Sequence, residues 1–201
     1  MSARDDILGS IRARKTRRVA APDPFRAPIP VGDLLAAFIG KARGVNTDVR
    51  VLERADDIPA AVAELLRARN LAARIHLPPQ SDLAAIDWQL EVERTPPGPD
   101  DTALTRAPLA LAETGTLVQP ARETSPASWH FRPGFEIAIL RESDIVANFE
   151  AALAKLGALP TTVNLITGPS RTGDIEQTLE LGAHGPKALA VVVVRDSTFA
   201  R

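Results

Sequence analysis

Apolar residues along this chain recur in two spacings, one typical of buried strands and one typical of helices. Short apolar runs predict strands at residues 49–52, 73–77, 108–112, 116–118, 135–140, 162–167 and 188–194. Helical spacing between them predicts helices over residues 2–14, 56–69 and 143–156, with a further helix beginning near residue 173. The run Ala190–Val194 contains no polar residue, which indicates a strand covered on both faces, as in a parallel sheet between helices. The chain is therefore predicted to be a mainly parallel α/β protein.

Two of the predicted helices carry recognisable start or stop signals. Asp56 or Asp57 can cap the helix over residues 56–69, and Pro59 falls in its first turn, where proline is tolerated. Gly157 is expected to end the later helix. The apolar stripe predicted for that helix consists of Ile145, Val146, Phe149, Leu153 and Leu156.

The N-terminal segment is set apart by its composition. A short helix over residues 2–14 leads into a basic run, and residues 20–30 hold four prolines in eleven positions and cannot continue a helix. Residues 1–30 are therefore predicted to form an arm of helix and proline-rich linker, and residues 31–201 a single domain, since one core can serve a chain of 201 residues.

Charge and cysteine content narrow the classes of function. The net charge of −1 lacks the electrostatic signature of a nucleic-acid-binding or lipid-bound protein, so a small anionic metabolite or a protein is the expected partner. Without any cysteine the chain cannot hold cysteine-ligated iron–sulfur or zinc sites, so we expect no cofactor of its own. No apolar run reaches the roughly 18 residues that cross a bilayer, and no signal-peptide core is evident, so a cytoplasmic location without membrane insertion is expected.

The sharpest candidate for chemistry is the segment Leu165–Glu176. It is predicted to leave a buried strand, turn on glycine and proline and enter a helix, so free backbone N–H groups and side chains there can hold a carboxylate or phosphate. The candidate ligand-binding residues in it are Gly168, Ser170, Arg171, Thr172 and Asp174. Alternatively, Ser170, Thr172 and Asp174 serve only as ordinary helix N-cap residues.

Two shorter segments are further candidates. The first is Ala112–Thr116, in which Gly115 permits a tight turn. Thr114, Gly115 and Thr116 can bind a ligand there, and Glu113 can act as a base or nucleophile. Alternatively, the segment is only an exposed hairpin turn. In residues 182–186, His184 lies in a constrained turn, where it can exchange a proton or simply face a helix C-terminus. Because ligands of open parallel sheets usually bind beyond the carboxyl ends of the strands, the turns leaving the strands are the expected location.

The common enzyme signatures for nucleotide phosphates, dinucleotides, zinc hydrolases and serine hydrolases are absent. However, the ordered triplet Ala112–Val118, Gly168–Glu176 and Leu181–Pro186 resembles the lactate-utilization (LUD) domain family. The resemblance implies a three-layer α/β/α fold similar to the ribose-phosphate isomerase, glucosamine-phosphate deaminase and CoA-transferase group. It also implies a role in the oxidation of L-lactate to pyruvate, together with partner proteins that carry iron–sulfur clusters.

The sequence departs from the family pattern at one notable position. Glu136 stands where the family usually has a histidine, and His130 is the residue that could replace that imidazole in space. Three functions stay open from the sequence. The first is a non-redox subunit of a lactate-oxidising complex, and the second is an independent enzyme: a phospho-sugar isomerase, a CoA-transferase with Glu113 as nucleophile, or a ligase resembling the folate cyclo-ligases. The third is a metabolite sensor without turnover. Self-association into a homo-oligomer is also open.

Overall fold

The computed structural model describes residues 3–14, 22–23, 32–79, 81–172, 180–182 and 184–195. Its helices are α1 (Ala3–Arg14), α2 (Leu34–Gly44), α3 (Ile58–Ala68), α4 (Ser81–Ala84), α5 (Ser128–Phe131) and α6 (Phe149–Leu156). The predicted arm is represented by α1, while most of the proline-rich linker lies outside the described residues, so its boundary at residue 30 stays a prediction.

Most of the strands belong to a parallel sheet and a second, smaller sheet. The strands are β1 (Asp48–Leu52), β2 (Arg74–His76), β3 (Glu91–Glu93), β4 (Thr102–Arg106), β5 (Leu109–Leu111), β6 (Thr116–Pro120), β7 (Phe135–Arg141), β8 (Ile145–Val146), β9 (Val163–Ile166), β10 (Arg171–Thr172), β11 (Glu180–Leu181) and β12 (Ala188–Val194). The larger sheet has six strands in the order β1-β12-β7-β4-β2-β3, and every pair in it is parallel. The mainly parallel α/β architecture is thus confirmed.

Helices cover both faces of this sheet because alternate residues of its strands are apolar on both sides. Ala190, Val192 and Val194 of β12 belong to a core cluster with α3, whereas Val191 and Val193 belong to a second cluster with α2. Since successive side chains of a strand point to opposite faces, α3 and α2 lie on opposite sides of the sheet. This is the three-layer arrangement that the unbroken apolar run of β12 requires.

A second sheet of four strands in the order β8-β5-β6-β9 lies beside α6. β5 and β6 form an antiparallel hairpin, β9 extends it as an edge strand, and β8 pairs in parallel with β5. The predicted strands over residues 108–112, 116–118 and 162–167 therefore exist. β9 is nevertheless an edge strand, with Leu165 49% exposed, and is not buried on both faces.

The predicted helix over residues 143–156 is wrong in its first half. Residues 142–144 form a single 3₁₀ turn, Ile145 and Val146 pair with β5, and α6 begins only at Phe149. The β-branched pair is buried in the small sheet, and the side chain of Asn148 caps α6 by accepting a hydrogen bond from the N–H of Ala151 at 3.0 Å. Gly157, with a φ of 63°, ends the helix as expected.

The predicted N-cap residue of α3 is in the expected position but does not form the capping hydrogen bond. Asp57 is the residue before the helix, but its side chain makes no capping hydrogen bond, because a 3₁₀ turn over Ala55–Asp57 leads directly into α3. Pro59 does lie in the first turn. The helix predicted to begin near residue 173 falls on residues 173–179, which lie outside the described residues.

Candidate functional site

The candidate site is assembled by the order of three neighbouring strands. β1, β12 and β7 are adjacent and parallel, so the residues preceding them meet at one edge of the sheet. These residues include Asn46 before β1, His184–Pro186 before β12 and His130 before β7. The candidate cavity therefore lies at the edge of the larger sheet where these strands begin, whereas the second motif itself follows the carboxyl end of β9 in the smaller sheet.

The backbone of Ser170 joins the second motif to the third. The N–H of Ser170 donates to the carbonyl of Pro186 at 2.8 Å, and its carbonyl accepts from the N–H of Gly182 at 3.1 Å. The Ser170 hydroxyl oxygen also accepts from the N–H of His184 at 3.2 Å. Two segments that are separate in sequence thus form one hydrogen-bonded turn, and no acceptor for the hydroxyl proton of Ser170 is found in the described part of the chain.

A cavity of about 240 Å³ opens beside this turn. It is lined by Leu165–Arg171 of the second motif, His184–Pro186 of the third motif, and the pair His130–Phe131 of α5. Phe131 and Leu165 are exposed apolar side chains. The polar side chains among the lining residues include those of Thr167, Ser170, Arg171 and His184. The volume is below the roughly 300–1,000 Å³ of common ligand pockets, so it suits a small metabolite.

Arg171 contributes a guanidinium that no carboxylate neutralises within the described residues. With the Asn46 amide oriented so that its oxygen faces Arg171, that oxygen lies 3.1 Å from both terminal nitrogens of the guanidinium. Asn46 is uncharged and follows the end of α2 with a φ of 64°. It therefore orients Arg171 without cancelling its charge, which favours an anionic ligand.

The first motif forms the turn of the β5–β6 hairpin, which is the structural alternative considered for it. Glu113 Oε1 accepts from the N–H of Phe149 at 3.1 Å, so this carboxylate lies at the start of α6. An acidic group at that place is stabilised by the helix dipole. Glu113 is not among the described residues that line the cavity, and its assignment as base or nucleophile stays a prediction.

Threonine hydroxyls connect the first motif to the second. The hydroxyl oxygen of Thr116 lies 2.7 Å from that of Thr114 and 2.6 Å from that of Thr167, which lines the cavity. Gly115 packs against the backbone of Lys41 and Ala42 near the end of α2, and Gly168 packs against Val45 just beyond it. Both glycines have positive φ, so the end of α2 serves as the common support for the first two motifs.

Of the last two predicted ligand-binding residues, Thr172 is among the described residues and Asp174 is not. Thr172 belongs to β10, which pairs with β11, so it is in an extended segment at this point. Asp174 and the proposed helix start lie outside the described residues, and a binding role for the helix N-terminus therefore stays a prediction.

The sequence reasoning named Glu136 and His130 separately but did not predict that they touch. Glu136 lies on β7 and is fully buried, and His130 Nδ1 is 2.7 Å from its Oε1. The Thr105 hydroxyl donates to the same oxygen at 2.7 Å. The sequence did contain a clue to this contact: Glu136 departs from the family pattern, and a histidine, His130, lies six residues earlier.

A second buried histidine belongs to a separate cluster. His76 Nδ1 lies 2.9 Å from the carbonyl of Thr95, and its Nε2 lies 3.4 Å from Asp101 Oδ1. Asp101 Oδ2 accepts from the N–H of Gly98 at 2.8 Å. That backbone hydrogen bond, aided by the charges of His76 and Arg74, holds the pKa of Asp101 below its ordinary value although burial opposes the shift.

Among the residues that the structure describes, no group of three histidine or acidic side chains is placed to hold a metal ion. None of the described helices is long and apolar enough to cross a membrane.

These features define a three-layer α/β protein with a small polar cavity at the amino edge of its parallel sheet. The family model "LUD domain" matches residues 99–194, which contain all three motifs and the cavity. Lactate utilization protein C of Exiguobacterium sp. (strain ATCC BAA-1283 / AT1b) is 31% identical over 181 residues, covering 82% of this chain and 79% of that protein. The chain therefore belongs to the LUD domain family.

Other relatives match over a shorter region. Lactate utilization protein C of Geobacillus kaustophilus (strain HTA426) is 40% identical over 95 residues, which cover 44% of this chain and 40% of that protein. The protein of the same name from Macrococcus caseolyticus (strain JCSC5402) is 38% identical over 103 residues and is covered to 45% of its length. The matched region thus spans less than half of these two relatives.

A crystal structure of a DUF162 family protein from Deinococcus radiodurans has the same fold. It is 24% identical, superposes with a TM-score of 0.56, and covers 82% of this chain and 99% of its own. This likeness supports the three-layer α/β fold.

Proposed function

We propose that this chain is a component of a lactate-utilization system that supports the oxidation of L-lactate to pyruvate, and that its cavity binds a small carboxylate. Its relatives are named for lactate utilization. The observation that carries the binding proposal is the convergence of the second and third motifs on one cavity, where Arg171 has no carboxylate partner within the described residues. A small carboxylate bound in the cavity would pair with this guanidinium.

The electron-transfer step is assigned to partner proteins. The chain has no cysteine with which to hold an iron–sulfur cluster, and we propose that iron–sulfur proteins of the same system supply that chemistry. The proposed contribution of this chain is to bind the carboxylate and to support the assembly, without carrying electrons itself.

The binding site is tested by titrating the purified full chain with L-lactate. Arg171→Ala should abolish carboxylate binding and leave the melting temperature nearly unchanged, because an exposed arginine contributes little to the core. Arg67→Ala, which removes an exposed arginine of α3, serves as the matched control and should bind like the wild type. Unfolding of Arg171→Ala would mean that this arginine has a structural role.

The partner proposal is tested by affinity purification of the tagged chain from lactate-grown cells. Co-recovery of iron-containing proteins together with lactate-dependent reduction of a dye is the expected result. Recovery of the chain alone, without iron and without this activity, would contradict the complex and favour an independent enzyme or a sensor.

An independent transferase with Glu113 as nucleophile is the alternative function. Its carboxylate already accepts a hydrogen bond from the start of α6, which is a structural use of the same group. Steady-state assay of the purified chain with acyl-CoA donors and carboxylate acceptors tests this alternative. Turnover that disappears in Glu113→Gln would favour it over the subunit role.

A further inference from the structure

The strand β9 forms an edge of the smaller sheet and carries no charged residue. It pairs with β6 on one side, and the described part of the chain places no strand on its other side. Residues 156–170 contain no acidic or basic side chain, whereas β3, an edge strand of the larger sheet, carries Glu91 and Glu93. Charged side chains on an edge strand discourage it from pairing with another chain. Because β9 lacks this protection, its free edge is suited to association.

The backbone of β9 presents hydrogen-bonding groups along this free edge. The N–H of Ala121 donates to the carbonyl of Thr162 at 2.9 Å, so the backbone of Thr162 faces β6. Residues of an antiparallel strand face its two sides alternately, so Asn164 also faces β6. The backbone N–H and C=O groups of Val163 and Leu165 therefore point away from β6. These two residues are the ones that a further strand would bind.

The side chains of the same two residues form the end of an apolar surface. Val163 and Leu165 lie on one face of β9, because they are two residues apart in a strand. Val163 packs against the core cluster that the smaller sheet shares with α6, whereas Leu165, opposite Val118 of β6, is 49% exposed. An apolar strand placed beside β9 would cover Leu165, and this burial favours association.

We propose that β9 pairs antiparallel with β9 of a second copy of this chain, about a two-fold axis at Asn164, and so joins the two smaller sheets. In this register Val163 lies opposite Leu165 of the partner subunit, and both residues of each copy donate and accept backbone hydrogen bonds. The exposed leucine of each copy then packs beside the valine of the other.

A second copy is the occupant that fits this edge. Two identical strands without charge meet with no like-charge repulsion, and their two outward residues complement each other in a closed two-fold arrangement. A strongly charged partner segment would find no counter-charge anywhere in residues 156–170. This inference does not rest on the proposed carboxylate site, so either one can fail without the other.

The first test measures self-association of the full chain by sedimentation between about 1 and 200 µM. Because β9 is a short strand, the interface is small, and we expect a dissociation constant on the order of 10 µM. Leu165→Lys places a charge on the edge and should weaken the dimer about tenfold or more. Leu71→Lys, which changes an exposed leucine that follows α3, is the matched control and should associate like the wild type.

The second test examines the register with single cysteines, since the chain has none of its own. In the proposed dimer the two copies of residue 164 form a non-hydrogen-bonded pair with Cα atoms about 4.5 Å apart, which a disulfide can span. Asn164→Cys should therefore cross-link under mild oxidation. Thr162→Cys is the matched control: it is exposed, but its two copies would lie more than about 13 Å apart, so it should not cross-link.

Three results would overturn the inference. A wild type that stays monomeric at about 200 µM would mean that the edge is unoccupied or is covered by a different protein. A dimer that persists in a Leu165→Lys variant with a wild-type melting temperature would place the interface elsewhere. Equal cross-linking of Thr162→Cys and Asn164→Cys would exclude the proposed register, and this comparison decides the matter if Leu165→Lys fails to fold.

Discussion

Gly115 and Gly157 both have a positive φ but have different surroundings. Their φ angles are 70° and 63°. A Cβ on Gly115 would collide with the backbone of Lys41 and Ala42, whereas a Cβ on Gly157 would meet no atom within 4 Å. The pair therefore separates the cost of a positive φ from the cost of close packing against α2.

At the residue scale we expect Gly157→Ala to lower the free energy of unfolding by about 1–3 kcal/mol through backbone strain alone, because a φ of 63° with a ψ of −113° is a conformation that L residues rarely adopt. Gly115→Ala should cost roughly 1–3 kcal/mol more, because α2 must also move. Urea denaturation of both variants measures the difference. Equal decreases in the free energy of unfolding would mean that the β5–β6 turn shifts to accommodate the added methyl group without displacing α2.

Residue-scale reasoning from sequence recognised most of the chemical groups of the site but not their contacts. Ser170, Arg171 and His184 were selected because their residue types bind anions or exchange protons, and the structure brings them to one cavity. The contact between His130 and Glu136 depends on the path of the chain from α5 into β7, which no local pattern specifies. Asn46 was missed because its contact with Arg171 joins residues far apart in sequence.

At the scale of elements, the starts of α6 and α3 provide a matched comparison of helix caps. Asn148 accepts from the N–H of Ala151, while Asp57 occupies the equivalent position before α3 without making such a bond. Asn148→Ala should lower the free energy of unfolding by about 0.5–2 kcal/mol. Thermal or urea unfolding provides the measurement.

Asp57→Ala is the control for this prediction. Since no capping bond is lost, its effect should stay within about 0.5 kcal/mol of the wild type. A loss as large as that of Asn148→Ala would mean that Asp57 supports α3 through the helix dipole and not through a hydrogen bond.

The elements that sequence reasoning placed correctly are those with a strong local signal. β12 was predicted at its observed bounds because its seven residues are apolar throughout. Ile145 and Val146 were misassigned because an apolar pair fits helical spacing as well as a strand, and only pairing with β5 makes the extended conformation favourable. A strand of two or three residues, such as those of the second sheet, is too short to show a recognisable alternation of apolar and polar residues.

At the scale of the whole molecule, Asp101 links stability to pH. Its pKa is lowered on folding, so the unfolded chain takes up this proton more readily than the folded protein as the pH falls. The stability contributed by the ionised carboxylate is present above the unfolded pKa and is lost as pH falls through the folded pKa, below about pH 4. Asp101→Asn should therefore be less stable at neutral pH and lose less stability on acidification.

Denaturant unfolding between about pH 2 and pH 6 checks this expectation in the acid range. Asp100→Asn is the matched control, because that neighbouring side chain is 93% exposed and lies 3.8 Å from its nearest cation, Lys187. It should follow the wild-type pH dependence. Identical slopes for wild type and Asp101→Asn would show that the carboxylate of Asp101 does not carry the acid sensitivity.

The sequence by itself determined the α/β class, the strongly apolar strands, the family resemblance and the residue types of the site, because these depend on local composition and spacing. The tertiary structure decided the strand order β1-β12-β7, which brings three distant segments to the amino edge of the sheet. It also decided that Glu113 supports α6 and that Glu136 holds His130. Such contacts depend on how folded elements pack against one another, which the spacing of apolar and polar residues does not specify.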